Sequence, residues 1–145
     1  TSSLVGSEMC IRDSIHSILA ARIGKVEKAY QLFMHATRLD LDDYNNEGEQ
    51  GLHITSMPGS WLAIVRGFAG LQIVNDMLKI EPVLPEKWNS YSFKVNYSGS
   101  TLHIQVSKEI KIGLTAGNKL NIQVYQNVYE LKQEGSLTIP LKDSF

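Results

Sequence analysis

The residues best suited to chemistry lie together in one short stretch, residues 50–61. It holds His53, three hydroxyl side chains, two glycines and a tryptophan, in the order Gln-Gly-Leu-His-Ile-Thr-Ser-Met-Pro-Gly-Ser-Trp. Glycine and hydroxyl residues are typical of exposed loops, which carry many binding groups. An imidazole can donate a hydrogen bond to a phosphate or sugar oxygen. We therefore predict a functional loop centred on His53; the alternative is that His53 only orders the loop by bonding to its backbone.

The rest of the sequence offers no metal-ligand or nucleophile motif. The four histidines are far apart, and Cys10 is the single cysteine, so neither a zinc site nor a disulfide is predicted. Residues 43–54 place Asp and Asn much as a calcium loop does, but Ile54 stands where that loop requires a bidentate glutamate. A glycine-rich phosphate loop and a nucleophile elbow are also missing. We expect no metal site.

The composition is typical of a globular protein, with 43% hydrophobic and 20% charged residues. A formal net charge of -1 gives no broad positive surface, so neither nucleic acid nor a membrane is expected as a partner. The longest apolar run, residues 61–65, is too short to cross a bilayer, and the first fifteen residues lack the regions of a signal peptide. We expect a cytoplasmic protein with small neutral or anionic ligands.

Apolar residues recur every three or four positions between residues 14 and 39, which predicts two amphipathic helices. Ser14 is expected to cap the first helix, Gly24 to end it, and the second helix to span residues 26–39. Residues 1–14 show no such period. A hairpin of two helices has too little to pack against by itself, so we expect it to belong to a larger helical array.

A third helix is predicted after Pro58, whose missing N–H is tolerated in a first helical turn. Its apolar residues cover most of its circumference, so we expect burial on more than one side: Trp61, Leu62, Ile64, Val65 and Phe68.

Beyond Gly70 the hydrophobic period changes to two, which predicts β-strands. The alternation is clearest in residues 91–97 and 102–106, on either side of a Ser-Gly turn, and further short strands follow. This spacing is typical of a small antiparallel β-sandwich. Trp88 and the aromatic stripe of residues 91–97 are either a sugar-stacking platform or, as such stripes usually are, part of the core. The chain thus divides into a helical part, 1–70, and a β part, 71–145.

Four segments resemble the end of the catalytic domain of one enzyme family: residues 15–21 (IHSILAA), 36–46 (ATRLDLDDYNN), 51–57 (GLHITSM) and 59–61 (GSW). Leu84-Pro85, Trp88 and residues 91–93 likewise resemble the beginning of that family's C-terminal β domain. The family is glycoside hydrolase family 65, and the resemblance covers residues 15 to about 110 well.

The resemblance implies an α+β fragment of a multidomain enzyme. Its helices would be the last ones of an (α/α)6 catalytic barrel, and the β part would be the C-terminal β-sandwich. The rest of the catalytic domain would then be the partner of these helices, and the intact parent is expected to form a homodimer as members of the family tend to.

The resemblance also implies inverting phosphorolysis of an α-linked disaccharide, with maltose favoured by residues 54–57. The products would be β-glucose 1-phosphate and glucose. A glutamate protonates the glycosidic oxygen while phosphate attacks the anomeric carbon, so phosphate is a substrate and no cofactor is needed. The family's phosphate ligands, a Ser-Ser pair and the His of Gly-Leu-His, correspond to Ser2, Ser3 and His53. Its general-acid glutamate has no counterpart here, so we expect no catalytic residue and an inactive chain.

The match to the family pattern breaks at residues 5–14, which read VGSEMCIRDS. This text resembles translated sequencing-adapter sequence, and we predict that residues 5–14 are not native. Three alternatives to a maltose-specific enzyme remain: a phosphorylase of trehalose or kojibiose, a hydrolase of the same family, and a non-catalytic structural or carbohydrate-binding module. A requirement for phosphate separates a phosphorylase from a hydrolase.

Overall fold

The computed structural model describes residues 3–42 and 56–142. The chain forms two compact units, a helical unit that ends at Phe68 and a β unit that begins at Ala69. The helical unit contains α1 (Ser3–Arg22), α2 (Val26–Asp42), α3 (Ser56–Leu62) and a π-helical segment, Ala63–Phe68, that directly continues α3.

The first helix is longer than the sequence predicts, because α1 begins at Ser3 and runs through the residues that show no apolar period. The prediction that Ser14 caps this helix is wrong: Ser14 lies inside α1 and is buried. The buried face of α1 is polar and small there, with Asp13, Ser14 and Ser17. A helix with such a face has a weak hydrophobic period, so periodicity alone misses it.

Two glycines allow the third helix to approach α1 closely. A Cβ built on Gly59 would lie 2.5 Å from Ser14 Oγ, and one built on Gly67 would lie 3.2 Å from the Cα of Ile18. The second distance involves helix backbone, which cannot rotate away as a side chain can. Small residues at this crossing therefore set the spacing between α1 and the α3–π-helical element.

The third helix begins as predicted, with Pro58 in its first turn, but the expected burial on more than one side is wrong. Val65 and Phe68 are buried, whereas Trp61 is 52% exposed and Leu62 is 41% exposed. The helix widens to π geometry at Ala63, which shifts the side chains that follow relative to an α-helical pattern.

The β unit consists of eight strands in two four-stranded sheets. One sheet has the order β1-β2-β6-β7 and the other β3-β4-β5-β8. The strands are β1 (Gln72–Val74), β2 (Met77–Ile80), β3 (Tyr91–Tyr97), β4 (Ser100–Val106), β5 (Glu109–Ala116), β6 (Leu120–Val124), β7 (Asn127–Leu131) and β8 (Ser136–Pro140). Each predicted strand is present.

The pairing is not wholly antiparallel as predicted, because β2 and β6 pair in parallel, with Leu78 opposite Ile122. A hairpin forces its two strands to be antiparallel. No hairpin joins β2 to β6, since β3, β4 and β5 lie between them in the chain and belong to the other sheet. Turn signals in the sequence therefore could not predict that β2 and β6 are parallel.

The two clearest turns have the conformation that two-residue hairpins require. Asn75 and Asp76 have φ of 49° and 54°, and Ser98 and Gly99 have φ of 49° and 75°. Two consecutive positive φ values define the mirror-image turn that matches the twist of the flanking strands. The Ser98-Gly99 turn connects β3 to β4, so the predicted hairpin is confirmed.

Candidate functional site

The structure does not describe most of the predicted phosphate ligands. His53 and Ser2 lie outside the described residues, and Ser3 is described only as the first residue of α1. The position of Ser3 still carries information, because the first N–H groups of a helix have no partner within it and attract anions. A phosphate ligand at residue 3 would lie beside such groups.

Contacts between the helices show which of their ends lie together. Asp13 contacts His35 and Ser17 contacts Ala29, so α1 and α2 run antiparallel. The close approaches of Gly59 to Ser14 and of Gly67 to Ile18 follow increasing residue numbers in both elements, so α3 and its continuation run parallel to α1.

These directions orient the start of α1, the end of α2 and the start of α3 the same way, but α3 begins beside the middle of α1, where Gly59 approaches Ser14. The chain leaves α2 after Asp42 and enters α3 at Ser56, and His53 precedes Ser56 by three residues in the sequence. The helix ends that flank the predicted loop therefore face the same way as the start of α1.

Two side-chain pairs connect or stabilise the helices of this unit. His35 Nδ1 is 2.9 Å from Asp13 Oδ2, and Arg12 approaches the same carboxylate at 4.0 Å. On α2, Arg38 binds Asp42 through two hydrogen bonds of 2.7 Å, one to each carboxylate oxygen. The first pair joins α1 to α2, and the second stabilises the last turn of α2. Both position helices rather than present free groups to a substrate.

The Asp13–His35 pair was missed by the sequence analysis, although a signal for it exists. Asp13 and His35 are equally far from Gly24 in the sequence. Residues that are equidistant from the turn of an antiparallel helical hairpin face one another. A search for polar residues at equal distances from Gly24 would therefore have found Asp13 and His35.

Trp88 and Tyr91 do not form a flat platform for a sugar ring. Their rings meet edge to face, with centroids 5.7 Å apart and planes inclined by 65°. The Tyr91 hydroxyl donates to Val83 O at 3.0 Å, and that of Tyr125 donates to Pro82 O at 2.9 Å. Burial raises the pKa of Tyr91 well above its ordinary value, and the nearby Tyr125 raises it further. These aromatic residues fix the connection between β2 and β3.

Within the described ranges, 3–42 and 56–142, no group of three His, Cys, Asp or Glu side chains is arranged to hold a metal ion. In the same ranges no helix has the length and apolar character needed to cross a membrane.

Comparison with protein families assigns both units. Residues 4–62 match the central catalytic domain of glycosyl hydrolase family 65, and residues 71–131 match the C-terminal domain of the same family. The chain belongs to glycosyl hydrolase family 65. The resemblance found in the sequence is thereby confirmed, and the two matches fall on the helical and β units respectively.

Members of family 65 with different substrates are similar to this chain. Maltose phosphorylase of Bacillus subtilis is 45% identical over 120 residues, which cover 82% of this chain and 16% of the relative. Alpha,alpha-trehalose phosphorylase of Geobacillus stearothermophilus is 40% identical over 126 residues, 86% of this chain and 16% of the relative. The chain thus spans about a sixth of the length of these relatives.

A solved structure has the same fold. It is described as a putative kojibiose phosphorylase from human microbiome, with a TM-score of 0.83 and 42% identity over 92% of this chain and 20% of that chain. The three names give three disaccharides at similar identity, so similarity alone does not select the substrate.

Proposed function

We propose that this chain is part of an inverting disaccharide phosphorylase that converts maltose and phosphate to β-glucose 1-phosphate and glucose. The observation that carries the proposal is the 45% identity to a maltose phosphorylase, which extends over both family domains. The reaction needs inorganic phosphate as a substrate and no cofactor, and the enzyme acts in the cytoplasm.

The chain contributes the phosphate side of the active site through Ser2, Ser3 and His53. Hydrogen-bond donors aimed at the phosphate hold it for attack on the anomeric carbon and stabilise the charge that shifts during the reaction. The start of α1 at Ser3, where the first backbone N–H groups of a helix have no partner within it, supports this assignment. The general acid is a glutamate outside these residues, so the chain alone does not catalyse the reaction.

The partner of the helical unit is the remainder of an (α/α)6 barrel, and the two sheets of the β unit form a sandwich. An apolar stripe along α1 supports the proposal that the helical unit packs against the remainder of a barrel. Ile15, Leu19 and Ile23 recur every four residues on one face and are 51%, 51% and 68% exposed. Met57 and Trp61 of the third helix are also exposed. Apolar surface in this amount on one unit indicates a site of association.

Replacing His53 in an intact enzyme that carries this segment tests the assignment. His53→Ala removes one donor to phosphate, so we expect phosphorolysis to fall roughly tenfold to a thousandfold. His53→Gln keeps an N–H donor and is the matched control, with activity between the two. The measurement is the initial rate of glucose 1-phosphate release against phosphate concentration. Equal rates for wild type and both variants would remove His53 from the site.

The close alternatives are phosphorolysis of trehalose or kojibiose and hydrolysis. The relatives named for trehalose and kojibiose have 40% and 42% identity, against 45% for the maltose enzyme. The same assay separates these reactions if each disaccharide is offered with and without phosphate. Cleavage of maltose only when phosphate is present supports the proposal, and cleavage without phosphate supports a hydrolase.

A structural role for the β unit alone is the second candidate. The inclined rings of Trp88 and Tyr91, and the hydrogen bonds of both tyrosines to backbone carbonyls, favour packing over carbohydrate binding at that position.

A further inference from the structure

One face of the β3-β4-β5-β8 sheet is polar and carries an unexplained glycine. Lys94 pairs with His103, His103 with Gly113, and Gly113 with Ser136, so these four residues form one row across the sheet. Lys111 lies two residues before Gly113 on the same side of β5. Neighbouring residues along the strands, such as Ile104 and Ile112, are fully buried on the opposite face. We call Lys94, His103, Lys111, Gly113 and Ser136 the outer row site.

Neither a close contact nor a positive φ requires the glycine at residue 113. It lies in the middle of β5, and its φ is not in the left-handed region. A Cβ built on it would meet nothing within 4 Å. Glycine weakens a strand by up to about 1 kcal/mol, and a strand glycine often marks a bulge or the close approach of another molecule. The register of β4 and β5 shifts between Leu114 and Ala116, but Gly113 itself pairs regularly with His103 and Ser136, so the bulge does not include it. The missing side chain leaves a gap between His103 and Ser136 that is about two strand spacings, roughly 10 Å, wide.

The side chains around this gap are hydrogen-bond donors, and their net charge is positive. Lys94 and Lys111 are exposed, and in the described part of the chain neither forms an ion pair or a side-chain hydrogen bond. On this face of β5 the only carboxylate is Glu109, at the start of the strand opposite Pro140. The Cα atoms of the two lysines lie roughly 12 Å apart, from strand spacing and rise. Both ammonium groups can therefore reach the space above Gly113.

We propose that the outer row site binds a phosphate group, either inorganic phosphate or the phosphate of a small sugar ester. Two ammonium groups balance the charge of a phosphate dianion, and His103 and Ser136 can donate hydrogen bonds from either side of the gap. The absence of a side chain at residue 113 lets the anion approach the sheet backbone. This site belongs to the β unit and is separate in residues from the site proposed around His53.

Titration of the full chain with three ligands tests this site. Inorganic phosphate, glucose 1-phosphate and glucose are added separately while backbone amide shifts are followed by NMR. We expect saturable shifts at residues 94, 103, 111 and 113 with the two phosphates and none with glucose. Equal affinity for both phosphates means that the site recognises the phosphate alone, and tighter binding of glucose 1-phosphate means that the sugar also makes contact. Added salt weakens both.

Three variants separate this site from a merely solvated sheet face. Gly113→Thr adds a side chain whose Cβ meets no atom within 4 Å, so we expect it to fill the gap, keep or raise the thermal midpoint, and abolish the shifts. Lys94→Gln with Lys111→Gln weakens binding at least tenfold, as expected for lost charged hydrogen bonds. Lys28→Gln, an exposed lysine of α2 in the helical unit, leaves binding unchanged.

In the His53→Ala variant we expect the same shifts at the outer row site. This result would show that phosphate binds the β unit independently of the site proposed around His53. The proposal is overturned if phosphate causes no saturable shift, if the shifts survive Gly113→Thr, or if all shifts fall in the helical unit.

Discussion

The helical unit and the β unit bury very different side chains. In the helical unit five of the nine buried hydrophobic residues are alanines, and Phe68 is its one member among the largest fully buried side chains of the described residues. The β unit buries leucine, isoleucine and valine from six of its strands, including Ile104, Ile112 and Val124. Since the free energy of burial scales with apolar area, the β unit gains far more from its own core.

The described helical unit exposes more large apolar side chains than the described β unit does. Six large apolar side chains of the described helical unit are exposed, three of them in the stripe Ile15, Leu19 and Ile23. The described β unit exposes three: Ile73, Val74 and Val128. In the described helical unit more large apolar residues are thus exposed than buried, whereas those of the described β unit are mostly buried. We therefore expect the two units to differ in whether they fold stably by themselves.

Separating the units should give the largest effect. We expect residues 69–145 alone to unfold cooperatively in urea, because their core is complete. Residues 1–68 alone should show no cooperative transition and should bind a hydrophobic dye, because their large apolar residues lack partners. Circular dichroism and dye fluorescence across a urea series measure both. Cooperative unfolding of residues 1–68 without dye binding would remove the difference between the units and the support for a barrel partner.

A smaller effect is expected from adding one methyl group at a glycine in each unit. Gly67→Ala places its Cβ against the Cα of Ile18, so α1 must shift; overpacking costs about 1–3 kcal/mol, partly offset by the better helix propensity of alanine. Gly113→Ala meets open space and should leave the free energy of unfolding unchanged or slightly raised. The midpoints of urea unfolding of the full chain measure both changes. A stabilising Gly67→Ala would mean that the crossing is looser than the distance indicates.

The smallest effect concerns Tyr91 in the β unit. Tyr91→Phe removes the hydrogen bond to Val83 O and should cost about 1 kcal/mol near neutral pH. The pKa of Tyr91 is raised in the folded chain, so the folded state holds its proton more tightly than the unfolded state. The contribution of Tyr91 to stability is therefore complete below about pH 10 and is lost as the pH rises further.

Urea unfolding at about pH 8 and about pH 11 checks this sign. Wild type should lose more stability between the two pH values than Tyr91→Phe does. Tyr125→Phe is the matched comparison, because burial also raises the pKa of Tyr125 while its hydroxyl accepts a hydrogen bond from the Lys142 N–H, which lowers it. An identical pH dependence in wild type and Tyr91→Phe would contradict the assignment.

The structure describes most of the predicted helices and strands but few of the predicted site residues. Residues such as His53 and Ser2 were assigned through family resemblance, and they lie outside the described ranges. The structure contributes the relative directions of α1, α2 and α3. Conversely, the outer row site depends on strand register: Lys94 and Gly113 are on different strands, and no sequence pattern relates them.

The sequence alone determined the elements whose signals are local. The period-two alternation predicted all eight strands, the Ser98-Gly99 turn predicted its hairpin, and the family segments predicted membership of family 65. Only the tertiary structure decided the early start of α1, the burial of Ser14 beneath Gly59, and the parallel pairing of β2 with β6. The physical reason is that these features depend on residues distant in the chain, whose contacts outweigh local propensity and cannot be read from neighbouring positions.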